Sequence, residues 1–252
     1  MTIKFGTDGW RAVISETFTF GNLRLVAQAI ADYVREENAT NPSIVVGFDT
    51  RFLSDRYAAE VARVMAANHI DTWLARADTP TPAISYAVLQ KNATAGVMIT
   101  ASHNAPRYNG IKLKSCHGGA ASPSHHQRVE RLLDRNLSSG RGPNLMDLTE
   151  AIKQDRVQKF DPSWAYYEHL SGLVDLDIVS SGELRVVADG MFGSGRGAFS
   201  EVLARGRTHV FNIRQEMNPG FGGIHPEPIA KHLGLLMSTI QGGHWDVGLA
   251  TD

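Results

Sequence analysis

Several side chains that could do chemistry lie close together in residues 100–112. The segment follows an apolar run, 95–99, which predicts a buried strand of a parallel sheet. Ser102 would then lie just past the carboxyl end of that strand, where open α/β sheets bind their ligands. Asn, Pro and Gly residues in the segment predict a loop with defined turns. A hydroxyl near a fixed cation, here Lys112, suits an oxygen that receives and releases a phosphoryl group.

The pattern T-A-S-H-N-x-P-x-x-N-G-x-K in residues 100–112 resembles the active-site loop of the α-D-phosphohexomutases, a family that includes phosphoglucomutase and phosphomannomutase. The serine of that loop is a phosphoserine. Ala105 departs from the pattern, since many members have proline there, and we expect it to alter the stiffness of the loop rather than its chemistry. The residues that the resemblance implies in catalysis are Ser102, Lys112, His103 and, from the N-terminal segment, Arg11; those implied in substrate binding here are Asn104 and Asn109. For His103 the alternative is orientation of the loop through a hydrogen bond.

Two further segments carry the resemblance. Residues 5–11, F-G-T-D-G-W-R, predict a tight loop between extended segments and are similar to the family's N-terminal signature, whose arginine reaches the active-site phosphate. Arg11 matches that arginine and would offer a planar fork of donors to phosphate oxygens. Arg51 resembles the arginine of the family's G-x-D-x-R segment and is implied in substrate binding. An ion pair between Arg51 and Asp49 or Asp55 is the alternative.

The last residues, 248–252, resemble the approach to the family's D-G-D-x-D-R segment and its first aspartate, Asp252. Carboxylates of that segment hold Mg²⁺ against the phosphoserine, so the resemblance implies Mg²⁺ as the cofactor, with Ser102 and Asp252 as ligands. One carboxylate and one phosphate oxygen would make a weak site. We interpret the chain as the N-terminal half of a family member and expect little or no turnover from it alone.

The resemblance implies an intramolecular phosphotransferase that interconverts hexose 1-phosphate and hexose 6-phosphate through a hexose 1,6-bisphosphate. The preferred hexose and the oligomeric state stay open. The glycine-rich turn at 193–197 would alternatively suit a non-catalytic phosphate- or nucleotide-binding α/β module. Ser102 and His103 could also belong to a serine hydrolase, although their surroundings do not form a G-x-S-x-G elbow.

Nothing in the overall composition points to nucleic acid or a membrane as a partner. The chain has 252 residues and a formal net charge of -1, which offers no electrostatic reason to bind nucleic acid or an anionic membrane. No apolar run has the length of a membrane helix. A single cysteine, Cys116, excludes an intrachain disulfide and fits a reducing compartment. No secretory signal is visible, so we expect a cytoplasmic protein with no nucleic-acid or membrane partner.

Alternating strand and helix patterns predict an α/β fold of two consecutive three-layer α/β/α domains with mixed, mostly parallel sheets. We place the first domain, which carries the serine loop, at residues 1–155 and the second at 156–252. The patterns predict helices over 20–38, 54–68, 124–136, 147–159, 162–173 and 229–241, and strands over 43–49, 70–75, 95–99, 184–188 and 208–213.

Overall fold

The computed structural model describes residues 3–6, 9–204 and 206–252, and the chain forms two compact units. Thr7 and Asp8, in the tight loop predicted ahead of Arg11, lie outside the described residues. The first unit comprises Met1–Asp49, Leu53–Ala101 and Arg107–Pro162, and the second comprises Thr50–Phe52, Ser102–Pro106 and Ser163–Asp252. Two short loops from the first half of the sequence therefore belong to the second unit.

The first unit is built on a six-stranded sheet. Its strands are β1 (Trp10–Val13), β2 (Ser43–Phe48), β3 (Asp71–Ala75), β4 (Ala95–Ile99), β5 (Tyr108–Lys114) and β6 (Val157–Phe160), in the order β1-β5-β4-β2-β3-β6. Its helices are α1 (Phe20–Glu37), α2 (Ser54–Ala67), α3 (Thr81–Gln90), α4 (Pro123–Ser138) and α5 (Leu148–Lys153). Strands β2, β3, β4 and β6 are parallel, whereas β5 is antiparallel to both of its neighbours. The predicted α/β class with mixed, mostly parallel sheets is confirmed.

Strands β5 and β6 differ from the sequence prediction. Much of β5 lies in the segment expected to be a loop, but it pairs on both sides, with Ile111 opposite Ile99 on β4 and opposite Trp10 on β1. The helix expected over 147–159 ends at Lys153, because Asp155 has a left-handed backbone with φ of 56°. The chain then adds β6 to the sheet beside β3. The first unit consequently extends past residue 155.

The carboxylate of Glu60 on α2 forms ion pairs with Arg24 on α1 and Arg63 on α2. Glu60 Oε2 lies 2.5 Å from Nε of Arg24, and Glu60 Oε1 lies 2.6 Å from Nη1 of Arg63. Burial raises the pKa of Glu60, but the hydrogen bonds and charges of Arg24 and Arg63 lower it by more, so the pKa lies below its ordinary value. This network therefore contributes to stability only while the carboxylate is ionised.

The second unit is built on a parallel three-stranded sheet in the order β8-β7-β9. Its strands are β7 (Arg185–Asp189), β8 (His209–Ile213) and β9 (Val247–Ala250), and its helices are α6 (Ser163–Ser171), α7 (Leu176–Ser181), α8 (Ala198–Leu203) and α9 (Gly234–Gln241). The helix predicted over 229–241 is thus shorter, and a 3₁₀ turn, Ala230–His232, precedes it. None of the helices in the described part of the chain combines the length and apolar character needed to cross a bilayer.

Candidate active site

Ser102 follows β4 and has a left-handed backbone, with φ of 55°. The residue before it, Ala101, is fully buried. A non-glycine residue in this region of φ/ψ space is uncommon, and such residues persist only where surrounding contacts maintain them. The geometry of the serine must therefore be held by its neighbours.

Arg51 supplies contacts that hold this loop. Its Nη2 donates to the carbonyl oxygens of Ser102 at 2.5 Å and Asn104 at 2.6 Å, and its Nη1 donates to that of Ala105 at 3.0 Å. The residue is only 2% exposed. The guanidinium is buried against the backbone of the serine loop, and its Nη atoms face carbonyl oxygens of that loop; the role in substrate binding implied for Arg51 stays a prediction. Asp49, considered above as its ion-pair partner, accepts from the hydroxyl of Ser54 at 2.8 Å.

A second set of contacts surrounds Arg51. Its guanidinium carbon lies 5.0 Å from the centre of the Phe221 ring, and Phe221 is itself 3% exposed. The preceding residue, Thr50, donates its hydroxyl to the carbonyl oxygen of Phe192 at 3.0 Å. Sequence reasoning missed Phe221, whose surroundings indicate only a glycine-rich loop, because a cation–π contact has no local signature.

The hydroxyl of Ser102 faces a carboxylate and lies near an imidazole. Ser102 Oγ donates to Oδ2 of Asp252 at 3.2 Å, and Nδ1 of His103 lies 3.6 Å from the same oxygen. The side chains of His103 and Asp252 are 49% and 46% exposed, so a ligand in solution can reach them. Three of the predicted residues, Ser102, His103 and Asp252, are thus brought together. This arrangement can orient a hydroxyl, accept its proton and bind a cation.

The two predicted asparagines have different surroundings. Asn104 lies in the serine loop, and its carbonyl oxygen accepts from Arg51. Asn109 is fully buried: its Nδ2 donates to the hydroxyl of Ser54 at 2.9 Å, and its Oδ1 accepts from the backbone of Gly110 at 2.8 Å. The structure therefore does not place Asn109 on a surface that a substrate could touch. It links β5 to the start of α2.

Arg11 and Lys112 lie on neighbouring strands of the first unit. Arg11 is opposite Gly110 in the pairing of β1 with β5, and Lys112 on β5 is opposite Met98 on β4. A Cβ on Gly110 would lie 2.7 Å from the carbonyl oxygens of Thr100 and Trp10 and 2.9 Å from Cγ of Arg11. The glycine of the Asn-Gly pair is therefore needed for the close approach on which the position of Arg11 depends.

The donors for the implied Mg²⁺ are few. No group of three or more His, Cys, Asp or Glu side chains able to hold a metal occurs among residues 3–6, 9–204 and 206–252. Ser102 Oγ and Asp252 Oδ2 are both oxygen donors, the type that Mg²⁺ prefers, and the ion usually takes one or two carboxylates with phosphate and water. The two residues fit the ion in donor chemistry.

The glycine-rich turn at 193–197 is packed against the end of β9. A Cβ on Gly195 would lie 2.9 Å from the hydroxyl oxygen of Thr251, and one on Gly193 would lie 3.4 Å from the carbonyl oxygen of Asp252. The amide of Gly197, just before α8, donates to Oε1 of Gln215 at 2.6 Å. These glycines permit a close approach of backbone, and the amide at the helix start is already satisfied. The packing gives no support to a nucleotide site here.

A buried ion pair at the end of β7 was not predicted. Asp189 is fully buried and accepts from Nε of Arg214 at 2.8 Å, and Nη2 of Arg214 contacts its other oxygen. The same carboxylate accepts from the backbone of Met191 at 3.0 Å. Met191 and Phe192 both have left-handed backbones, and Phe192 carries the carbonyl that accepts from Thr50. The pair therefore stabilises the turn that supports the segment containing Arg51.

Two family models match the chain. The model described as phosphoglucomutase/phosphomannomutase, alpha/beta/alpha domain I, matches residues 2–139, and that for alpha/beta/alpha domain II matches residues 164–252.

Individual relatives agree with these matches. A protein assigned as a phosphoglucosamine mutase from Methanosphaera stadtmanae is 32% identical over 254 aligned residues, which cover 98% of this chain and 52% of that protein. A phosphoglucomutase from Komagataeibacter xylinus is 28% identical, and the match covers 87% of this chain and 41% of that protein. A crystal structure assigned as a phosphomannomutase from Thermus thermophilus has a TM-score of 0.88 and 32% identity, and the match covers 100% of this chain and 55% of that one. The chain spans about half the length of the curated relatives it matches.

Proposed function

The chain belongs to the phosphoglucomutase/phosphomannomutase family, and we propose that it takes part in phosphohexomutase chemistry with Ser102 as the residue that carries the phosphoryl group. The reaction interconverts hexose 1-phosphate and hexose 6-phosphate through a hexose 1,6-bisphosphate. The first unit, which extends past residue 155, would form domain I of such an enzyme, and the second unit would form domain II. The lone cysteine supports a reducing, cytoplasmic location.

The observation that carries this proposal is the hydrogen bond from Ser102 Oγ to Asp252 Oδ2, at 3.2 Å. It orients a hydroxyl that stands on a loop held by buried contacts, and the partner carboxylate is half-exposed. Phosphoryl transfer depends mainly on positioning and on charge stabilisation, and less on covalent chemistry by the protein. An oriented serine hydroxyl beside a carboxylate is suited to that requirement.

The proposed chemistry assigns roles to Lys112, His103 and Arg11. In the transfer, the bond between Ser102 Oγ and phosphorus breaks while a sugar hydroxyl forms a new bond to phosphorus. Lys112 is the candidate for the proton transfer that involves this hydroxyl, and His103 is the alternative. Arg11 and Lys112 would bind phosphate oxygens with charge-assisted hydrogen bonds. The return of the opposite phosphate of the bisphosphate to Ser102 completes the interconversion.

Mg²⁺ is proposed as the cofactor, with Asp252 and the Ser102 oxygen as ligands. A phosphate on Ser102 would bring negative charge beside the Asp252 carboxylate, and a divalent ion would offset this repulsion and the charge on the bridging oxygens. In the absence of the phosphate, one carboxylate and one hydroxyl should bind the ion weakly.

Peptide mapping by mass spectrometry tests the proposal. The chain is incubated with glucose 1,6-bisphosphate and Mg²⁺, and phosphate is located on its peptides, with Ser102→Ala and the surface variant Ser124→Ala as controls. We expect phosphate on Ser102 in the unaltered chain and in Ser124→Ala, and none in Ser102→Ala. Phosphate that is absent from Ser102, or spread over surface serines, would refute the assignment.

Turnover is a separate question, because the relatives are about twice as long as this chain. We expect a polypeptide limited to residues 1–252 to give little or no turnover in a coupled assay with glucose 1-phosphate, mannose 1-phosphate or glucosamine 1-phosphate. Turnover at a rate typical of enzymes, about 1–1000 per second, would contradict this expectation.

A further inference from the structure

We propose that Arg51 and Phe221 are positioning residues for the phosphoryl transfer at Ser102. Together they form a clamp, the Arg51–Phe221 clamp, that holds the backbone of the serine loop so that Ser102 Oγ meets Asp252. The kinetic part of this inference rests on the proposed function. The structural part, the clamp itself, is tested without reference to any reaction.

The loop has a conformation that needs an external partner. Ser102 has φ of 55°, and three carbonyl oxygens of the loop, on Ser102, Asn104 and Ala105, converge on one side chain. Converging carbonyl dipoles repel one another unless a donor lies among them, and left-handed serine is unfavourable by itself. A single guanidinium removes both difficulties, because it offers several N–H donors in one rigid plane.

The burial of Arg51 separates positioning from substrate binding. With 2% of its surface exposed and its Nη atoms engaged by backbone carbonyls, the guanidinium does not present its donors to a ligand in solution. Hydrogen bonds in a water-excluded setting are strengthened by the low local dielectric. Lysine has no planar fork and could not reach the three carbonyls in the same way, so Arg51→Lys is not a conservative change at this position.

Phe221 is the second member of the clamp. Its ring lies 5.0 Å from the guanidinium carbon of Arg51, and its own backbone is fixed by the 3₁₀ turn Phe221–Gly223. Gly222 in that turn has φ of 62°, and a Cβ there would lie 2.8 Å from the ring of Phe192. The aromatic face and the turn that carries it are therefore packed tightly. Both the cation–π attraction and the exclusion of water favour the observed position of Arg51.

Hydrogen exchange measured by mass spectrometry tests the clamp directly. Arg51→Gln, Arg51→Lys and Phe221→Leu are compared with the unaltered chain, and Arg56→Gln and Phe52→Leu serve as controls because both residues are exposed. We expect exchange in peptides that contain residues 102–106 to accelerate by about tenfold or more in Arg51→Gln and by less in Phe221→Leu. Unchanged exchange of the β7 and β8 peptides identifies variants that are still folded. Phe221→Leu is the most conservative of these changes, so the exchange measurement still tests the clamp if the arginine variants unfold.

A kinetic split tests the positioning role. Single-turnover phosphorylation of Ser102 is followed as the concentration of glucose 1,6-bisphosphate is varied. Misplacement of the hydroxyl should lower the saturated rate constant by about 10- to 100-fold in Arg51→Gln, with the half-saturating concentration changed by less than about twofold. The saturated rate constant of Arg51→Lys should lie between those of Arg51→Gln and the unaltered chain. A role in substrate binding would instead raise the half-saturating concentration.

The two measurements separate the two claims. Loop exchange that is the same in Arg51→Gln, Phe221→Leu and the controls would overturn the clamp. A raised half-saturating concentration with an unchanged rate constant would overturn the positioning role. Failure of the unaltered chain to accept phosphate on Ser102 would refute the proposed function and, with it, the kinetic part, whereas the exchange result would still decide whether the clamp exists.

Discussion

Replacement of Asp189 by asparagine tests how the second unit supports the serine loop. The carboxylate is fully buried. It accepts from Nε and Nη2 of Arg214, the first at 2.8 Å, and from the backbone amide of Met191 at 3.0 Å. Asparagine has nearly the same shape, so the change creates no cavity. It removes the negative charge and turns one accepting oxygen into a donor that faces the guanidinium.

The expected loss of stability follows from this geometry. Arg214 is only 8% exposed, so the variant leaves a positive charge buried beside a neutral amide. Removing one partner of a buried ion pair typically costs about 3–5 kcal/mol. One oxygen of the asparagine can still accept from Arg214 or Met191, so we expect the low end, about 3 kcal/mol. Replacing both partners should cost less than the sum of the single changes, because no unpaired charge then remains.

Urea unfolding read by hydrogen exchange of the β7 and β8 peptides reports the second unit separately from the first. The variants are Asp189→Asn, Arg214→Met and the double variant, with the exposed Glu216→Gln as a control expected to change stability by less than about 0.5 kcal/mol. A loss below about 1 kcal/mol for Asp189→Asn, or additive losses in the double variant, would refute the reasoning. The turn after Asp189 also accepts the Thr50 hydroxyl. Exchange in the serine loop should therefore accelerate in Asp189→Asn.

Three further outcomes follow from single sites. Glu60→Gln should cost about 1–2 kcal/mol at pH 7. The folded-state pKa of Glu60 is lowered, so its stabilising contribution is present above the unfolded pKa and is lost as the pH falls through the folded pKa. The melting temperature of Glu60→Gln should therefore fall less than that of the unaltered chain as the pH is lowered through this range. Gly110→Ala places a Cβ 2.7 Å from two carbonyl oxygens and should cost about 2–3 kcal/mol in urea unfolding, whereas Gly119→Ala, with open space around it, should be close to neutral. Asp252→Asn should raise the Mg²⁺ concentration needed for phosphorylation of Ser102 by about tenfold or more, and an unchanged Mg²⁺ dependence would argue against Asp252 as a ligand.

Local patterns were enough to predict the α/β class and most of the regular elements. Apolar runs between turn residues predicted β2 and β4, and helical periodicity predicted α1 and α2, because these elements bury their own side chains in a regular pattern. The family resemblance was predicted from motifs with characteristic spacing, such as residues 100–112. The polar or glycine-containing strands β5 and β6 were missed, since their conformation comes from pairing with strands distant in sequence.

The sequence by itself determined which residue types form the candidate site and their order along the chain: the serine, the imidazole beside it and the carboxylate at 252. Only the tertiary structure decided what each side chain touches. Arg51 and Ser102 are 51 residues apart, and Phe221 lies farther still, yet one guanidinium bonds the loop and contacts the ring. Hydrogen bonds and cation–π contacts act over a few ångströms in space and leave no periodic pattern in the chain. For that reason the sequence pattern implicated Arg51 only in substrate binding or in an ion pair, and nothing in it singled out Phe221.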